Sequence, residues 1–287
     1  MQFDWSTLGR KAPTTLVRAR NFAHHAAQWV GKAARANLEA VPDDSHASFE
    51  WDAAHGALFS QPLPAAGADV RVGLRVGGLA LVIMRSGVVL DTFELAGRRD
   101  SLIGVWLDSA LRALGLKPAS DIAALPYSMS AHSVVRGGAY SCSGEAEAFD
   151  ELARWYGAAA DLLGEVRTSL VDVQPGPVYC WPHHFDIATL VRIDHGDAGT
   201  AQSIGMGFSP GDVHYPQPYA YVTPWPHFKP EDMDFLPPPG HWHTQGFVGA
   251  VVTGEEILMM EDRRSGLLEF MSAAFNIGRI RLTAGKV

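Results

Sequence analysis

The chain has 287 residues, a formal net charge of −8, 47% hydrophobic residues and 19% charged residues. That length allows one large domain or two fused units, and the composition supplies a sizeable core. An acidic chain without a long basic run repels phosphate backbones, so no nucleic-acid partner is expected.

Taken in order, residues 16–40 read as an amphipathic helix, with Phe22, Ala26, Trp29 and Ala33 at helical spacing on one side. Pro42 and the acidic pair after it end that helix. Residues 48–60 and 69–95 read as strands, the latter split by Gly77-Gly78 and Ser86-Gly87, both tight-turn signals. A second helix is predicted over about 100–115, with an inner stripe of Ile103, Trp106, Ala110 and Leu114. Segment 119–144 reads as loop with one strand near 122–132. A strong helix is predicted over about 145–170, its apolar face carrying Phe149, Leu152, Ala159 and Val166. Four β-rich pieces follow, at 178–193, 201–208, 218–225 and 241–252. Thr253 and Glu256 have capping-box spacing for a short helix. A last helix covers about 264–276, and the tail GRIRLTAGKV reads as a final strand.

Both halves run helix, about four strands, helix. The expectation is an α+β fold of two consecutive α-β4-α units with mainly antiparallel sheets, related by duplication. The units would be 1–117 and 145–287, joined by a linker region at 118–144. Cys142 and Cys180 are too few for a disulfide framework and form no CxxC. No stretch approaches the roughly 20 apolar residues of a membrane span, and the start MQFDWSTLGRKAP lacks the apolar core of a signal peptide. A soluble, cytoplasmic protein without a membrane partner is expected.

Several phrases occur in a telling order: His24-x-x-x-Gln28-x-x-Gly31-Lys32, Pro177-Val178, Trp181-Pro182-His183-His184-Phe185-Asp186, Gly207-Phe208-x-Pro210-Gly211 and Pro218-Tyr219-x-Tyr221. Together they resemble the uncharacterised bacterial domain-of-unknown-function family 5996, over roughly residues 20–276. The resemblance implies no activity, cofactor or catalytic residue. Where the family's linker holds acidic residues and a His before a Tyr, this chain reads PYSMSAHSVVRGGAYS, with His132 and Tyr140 as counterparts at a stretched spacing.

Three pairs have metal-ligand spacing: His184-x-Asp186, Asp212-x-His214 and His241-x-His243. Alternate strand residues share a face about 6.6–6.8 Å apart, so such pairs can converge on one ion. Zinc on His184, Asp186, His241 and His243 is thus an alternative, although no complete zinc motif such as HExxH is present. Gly207-Phe208-Ser209-Pro210-Gly211 matches GxSxG, yet Asp212-Val213-His214-Tyr215-Pro216 cannot open the helix that a nucleophile elbow needs. It reads as a Pro-Gly turn. Tyr219, Tyr221, Thr223 and Trp225 alternate onto one face, a suitable ligand wall. His24, Gln28, Lys32 and Arg35 make a polar stripe on the first helix, which also fits a solvated face. Gly31 inside that stripe costs about 1 kcal/mol against alanine, which suits a close approach to the helix backbone. No phosphate-binding glycine loop exists, so no nucleotide cofactor is expected.

The favoured reading is a protein binding a polar or anionic small molecule between sheet and first helix. His24, Gln28, Lys32, His184, Asp186, Tyr219, Tyr221, His241 and His243 would form the site. A metal-dependent hydrolase using the His/Asp pairs is one alternative. An interaction module built on region 215–242 is the other.

Overall fold

The computed structural model describes residues 2–65, 68–170, 172–194, 201–229 and 233–284. Helices and antiparallel strands combine in an α+β architecture, as the element order predicts. The chain divides into two compact units, each discontinuous in sequence. The first comprises Thr15–Arg154 and Tyr179–Phe185; the second comprises Met1–Thr14, Trp155–Val178 and Asp186–Val287. This differs from the predicted linear division in three places. Region 118–144 is part of the first unit, because Ala119, Val134 and Tyr140 are buried there. Residues 179–185 join the same unit through Cys180, which pairs with Phe49. The N-terminal residues join the second unit, where Arg263 donates to the carbonyls of Trp5 and Leu8, each at 3.0 Å.

In the first unit, helix α1 (Val17–Asn37) is buried on nearly every side. Its alanines at 19, 23, 26, 27, 33 and 34 let neighbours approach without side-chain entropy loss. The predicted polar stripe is therefore not a solvated face: Gln28 and Gly31 are buried within it. Strands β1 (Phe49–Asp52), β2 (Ala57–Ser60), β3 (Leu63–Ala65), β4 (Ala68–Arg75), β5 (Ala80–Arg85), β6 (Val88–Glu94) and β7 (Tyr179–Cys180) pair antiparallel. Their order is β7-β1-β2-β4-β5-β6, with β3 on β4. Ser86 and Gly87, at φ 49° and 78°, make the two-residue turn between β5 and β6, where left-handed backbone matches the strand twist.

Helix α2 (Asp100–Ala113) buries Ile103, Leu107 and Leu111 rather than the predicted Trp106, Ala110 and Leu114. Both stripes satisfy helical spacing, so periodicity cannot separate them. Trp106 instead stacks outside on Phe93, with ring centres 4.9 Å apart. The strand predicted near 122–132 is absent: among the described residues, segment 119–144 holds single 3-10 turns at Ala119–Asp121 and Val134–Arg136 and isolated bridges from Ala139 to Arg99 and from Tyr140 to Ala96.

Helix α3 (Ala146–Ser169) contributes to the second unit from Trp155 onward. Strands β8 (Ile187–Arg192), β9 (Ser203–Ser209), β10 (Tyr219–Trp225), β11 (His241–His243) and β12 (Gly249–Thr253) form the antiparallel order β11-β12-β10-β9-β8. Thr253 and Glu256 make the predicted capping box of α4 (Gly254–Met259). Helix α5 (Arg263–Ala284) runs beyond its predicted end at 276, and the tail read as a strand is helical to Ala284. Met271, Phe275, Gly278 and Leu282 recur at helical spacing and are buried, which holds the extra turns. Gly278 lies against Ile204 and Pro224, so α5 covers one face of β9 and β10. That face carries Ile204, Met206, Phe208, Ala220 and Val222, all buried. The opposite face carries the polar set.

Candidate functional site

Register fixes which side chains share that polar face. His241 lies opposite Val251, Val251 opposite Tyr221, Tyr221 opposite Gly207, and Gly207 opposite Ala188. Cross-strand partners in an antiparallel sheet point to the same side, and so do residues two apart on one strand. His241, His243, Tyr219 and Tyr221 therefore share one face of the second unit. Asp186, just before β8, joins them because its carboxylate accepts the Tyr221 hydroxyl.

The hydroxyl of Tyr215, in the loop between β9 and β10, ties the two histidines together. It lies 3.0 Å from Nε2 of His241 and 2.9 Å from Nδ1 of His243. His243 Nε2 is 2.5 Å from the Gln245 carbonyl, which can only accept. In neutral His243, Nε2 therefore carries the proton and Nδ1 accepts from Tyr215. Tyr215 in turn accepts from His241 Nε2–H, which leaves His241 Nδ1 as a lone-pair acceptor. The resulting relay runs His241 to Tyr215 to His243 to Gln245.

Beside it, Tyr219 donates to Asp212 Oδ2 at 2.7 Å, while Asp212 Oδ1 accepts the backbone N–H groups of His214 and Tyr215 at 2.8 and 3.0 Å. That Asx-type turn aims Tyr215 at the histidines. Burial, reinforced by the Asp212 carboxylate, pushes the Tyr219 hydroxyl well above its ordinary pKa. Tyr215 is raised as well, by burial first and then by Glu256 and Asp212. Both phenols stay protonated donors at neutral pH. Phe247 stacks on His243 with ring centres 4.2 Å apart and extends the aromatic surface.

Gly207 makes room for this arrangement. A Cβ built on it would sit 2.6 Å from the Tyr221 hydroxyl and 2.7 Å from Ala188 Cβ. The Tyr221 ring thus lies across β9, over a position that tolerates no side chain, and reaches Asp186 beyond. Two of the sequence phrases, Gly207-Phe208 and Tyr219-x-Tyr221, are neighbours for this reason.

The candidates on α1 belong to the first unit and do different work. His24 Nε2 and Gln28 Nε2 both donate to the Pro182 carbonyl, each at 2.9 Å. Tyr127 donates to Gln28 Oε1 at 2.7 Å, and Gln28 Nε2 also reaches the His24 carbonyl. His24 stacks on Phe185, with ring centres 5.1 Å apart and planes 2° apart. Phe185 has a left-handed backbone, φ 60°, and its N–H bonds the Trp181 carbonyl at 2.6 Å. The phrase Trp181–Phe185 is thus a turn held by the polar stripe of α1, which explains why the two motifs go together. Burial lowers His24 and His183 to about 4, with the Pro182 carbonyl opposing the shift at His24.

Lys32 lies over the Trp29 ring, its ammonium 4.9 Å from the ring centre. Arg35 is paired with Asp44. Arg35 thus has its charge met by a carboxylate, whereas the ring contact leaves the Lys32 charge in place. His184 is an exposed turn residue, not a strand residue, so the predicted alternation with Asp186 does not apply. Asp212 and His214 likewise lie in a loop.

Among the described residues, no three His, Cys, Asp or Glu side chains are grouped to hold a metal ion. The alternative zinc set divides accordingly. His184 sits in the first unit's turn, whereas His241 and His243 share Tyr215 in the second. Ser209 ends β9, is 5% exposed, and accepts the Gly211 N–H at 3.1 Å. The next element is β10, so the strand–turn–helix context of a nucleophile elbow is absent. The cavity lined by Ser209, Trp155, Tyr156 and Phe208 measures about 10 Å³, room for one water.

Sequence reasoning missed Tyr215, Phe247 and Tyr127. The available signal for Tyr215 was Asp212 three residues before it, directly after a Pro-Gly turn. In comparison with known proteins, the chain matches no family model, no curated protein and no solved structure.

Proposed function

We propose that the second unit is a small-molecule-binding unit whose ligand lies against the Tyr215–His241–His243 face. The relay carries this reading. Three half-buried side chains are fixed in one hydrogen-bonded order, and its first member presents an acceptor, His241 Nδ1. The same face bears the carboxylates of Asp186 and Asp212. A surface dominated by acceptors selects a ligand rich in donors and disfavours an anion. The ligand class is therefore a polyol, sugar or amine, its apolar edges resting on Tyr215 and Phe247.

Calorimetric titration with myo-inositol, glucose, spermidine, succinate and phosphate tests this. Binding of at least one donor-rich compound is expected, weakened about tenfold in Tyr215→Phe, with no heat from the two anions. Succinate or phosphate binding that ignores Tyr215→Phe would refute it. The helix–strands–helix order in both halves supports duplication of an α-β4-α ancestor. The pairing of phrases in space supports membership in family 5996, as one shared structural device.

A further inference from the structure

Strand β6 ends the sheet of the first unit: among the described residues it has no neighbour beyond β5. An edge strand presents a row of unpaired N–H and C=O groups, which proteins normally blunt with lysine, proline, a bulge turned outward or a covering loop. The segment Val88–Glu94 contains no lysine and no proline, and a bulge at Leu90, where Ile83 pairs with Asp91 and Met84 with Val89, leaves Asp91–Glu94 as the regular stretch of the edge. Its apolar residues Val88 and Leu90 are 63% and 51% exposed. On α2, Leu102 and Val105 are 51% and 67% exposed. Between β6 and α2 runs an open groove of about 520 Å³, lined by Asp91, Phe93, Arg98, Leu102, Val105 and Trp106.

The groove is built, not loose. Phe93 and Trp106 stack as its floor. Asp91 locks Trp106 by accepting its indole N–H at 2.9 Å, and its other oxygen accepts the Thr92 N–H at 2.8 Å. Arg98 lies over the Phe93 ring, 5.7 Å from its centre. Among the described residues, neither Arg98 nor Arg99 contacts a carboxylate. On a chain of net charge −8, two unpaired arginines mark a local positive spot.

We propose that this groove binds an extended peptide of another protein, which adds a strand to β6. Its backbone would meet the open edge, one apolar side chain would rest on Phe93 and Trp106, and an acidic residue would follow at Arg98. An extended peptide fits because an open ladder is satisfied only by another strand. Charge selects an acidic one.

The test is fluorescence anisotropy on the full chain. The probes are fluorescein-labelled octapeptides of alternating Thr and Val, Leu or Phe, ending in Asp-Glu or in Lys-Lys, with a version carrying a central proline. The Asp-Glu peptides are expected to bind with micromolar Kd, and the proline version and Lys-Lys ending to bind at least about tenfold more weakly. Arg98→Glu and Val105→Lys, both at exposed positions, are expected to weaken binding about tenfold with an unchanged circular dichroism spectrum. Absence of saturable binding by every Asp-Glu peptide overturns the proposal, as does equal binding of the proline version. So does a dimer in sedimentation velocity that Val105→Lys dissolves while no peptide binds.

Discussion

At the scale of single residues, strand alternation is enough to pair Tyr219 with Tyr221 and His241 with His243, but only the cross-strand register and the Tyr221–Asp186 bond bring the pairs and Asp186 to one face. Alternation cannot find Tyr215, whose direction comes from the Asp212 turn, nor assign His184, which stands in a turn closed by the left-handed Phe185. The polar stripe on α1 looks like a solvated or ligand-facing surface until the Pro182 carbonyl is placed against it. Gln28 thereby becomes a structural residue. Gln28→Leu leaves the buried end of Tyr127 without its acceptor and Pro182 with one donor fewer. A loss of about 1–3 kcal/mol in urea unfolding is expected. Unchanged stability would show that the turn is held by other means. Gly207→Ala places a methyl group against the Tyr221 hydroxyl. Loss of the Tyr221–Asp186 bond, read as a shift of the Tyr221 ring resonances, is the expected outcome, and an unmoved ring would contradict the packing account.

At the scale of elements, the positions of α1, α3, the β4–β5–β6 meander and the capping box of α4 follow from periodicity and turn chemistry alone. The buried stripe of α2 and the length of α5 do not. Adjacent stripes on α2 are equally periodic, and the last turns of α5 are fixed by contact of Gly278 with Ile204. Gly31 shows how an element-level signal can mislead. Its expected close approach is absent: an added Cβ would meet Phe49 and Pro182 at 3.7 Å, ordinary contact. Gly31→Ala should therefore stabilise the protein by about 0.5–1 kcal/mol through helix propensity. A lower melting temperature for this variant would mean that the helix has no room there.

At the scale of the whole molecule, the two units are hidden from a linear reading because each takes segments from distant parts of the chain. Local signals report elements, and only tertiary packing reports that Tyr140 and Pro182 complete the unit begun by α1. A fragment of residues 15–117 lacks both, and is expected to give a poorly dispersed NMR spectrum; sharp, dispersed amide resonances would contradict this. Burial holds His24, His25 and His183 at about 4 in the folded chain, below the ordinary 6.5. As pH falls below 6.5 the unfolded chain protonates first, so the stabilisation is complete above that value and is lost progressively toward pH 4. Each such histidine contributes a slope of up to about 1.4 kcal/mol per pH unit in that window. Urea midpoints constant above about pH 7 and falling below about pH 6 would agree, and midpoints rising on acidification would not. The claim that a donor-rich ligand occupies the relay face is tested most directly by ¹⁵N imidazole spectra of the full chain, recorded during titration with myo-inositol, glucose and spermidine. The account predicts Nε2–H tautomers for His241 and His243, with ligand-dependent shifts at His241 Nδ1 that vanish in Tyr215→Phe; spectra that stay still at both residues, or move only at His24 and His183, would contradict it.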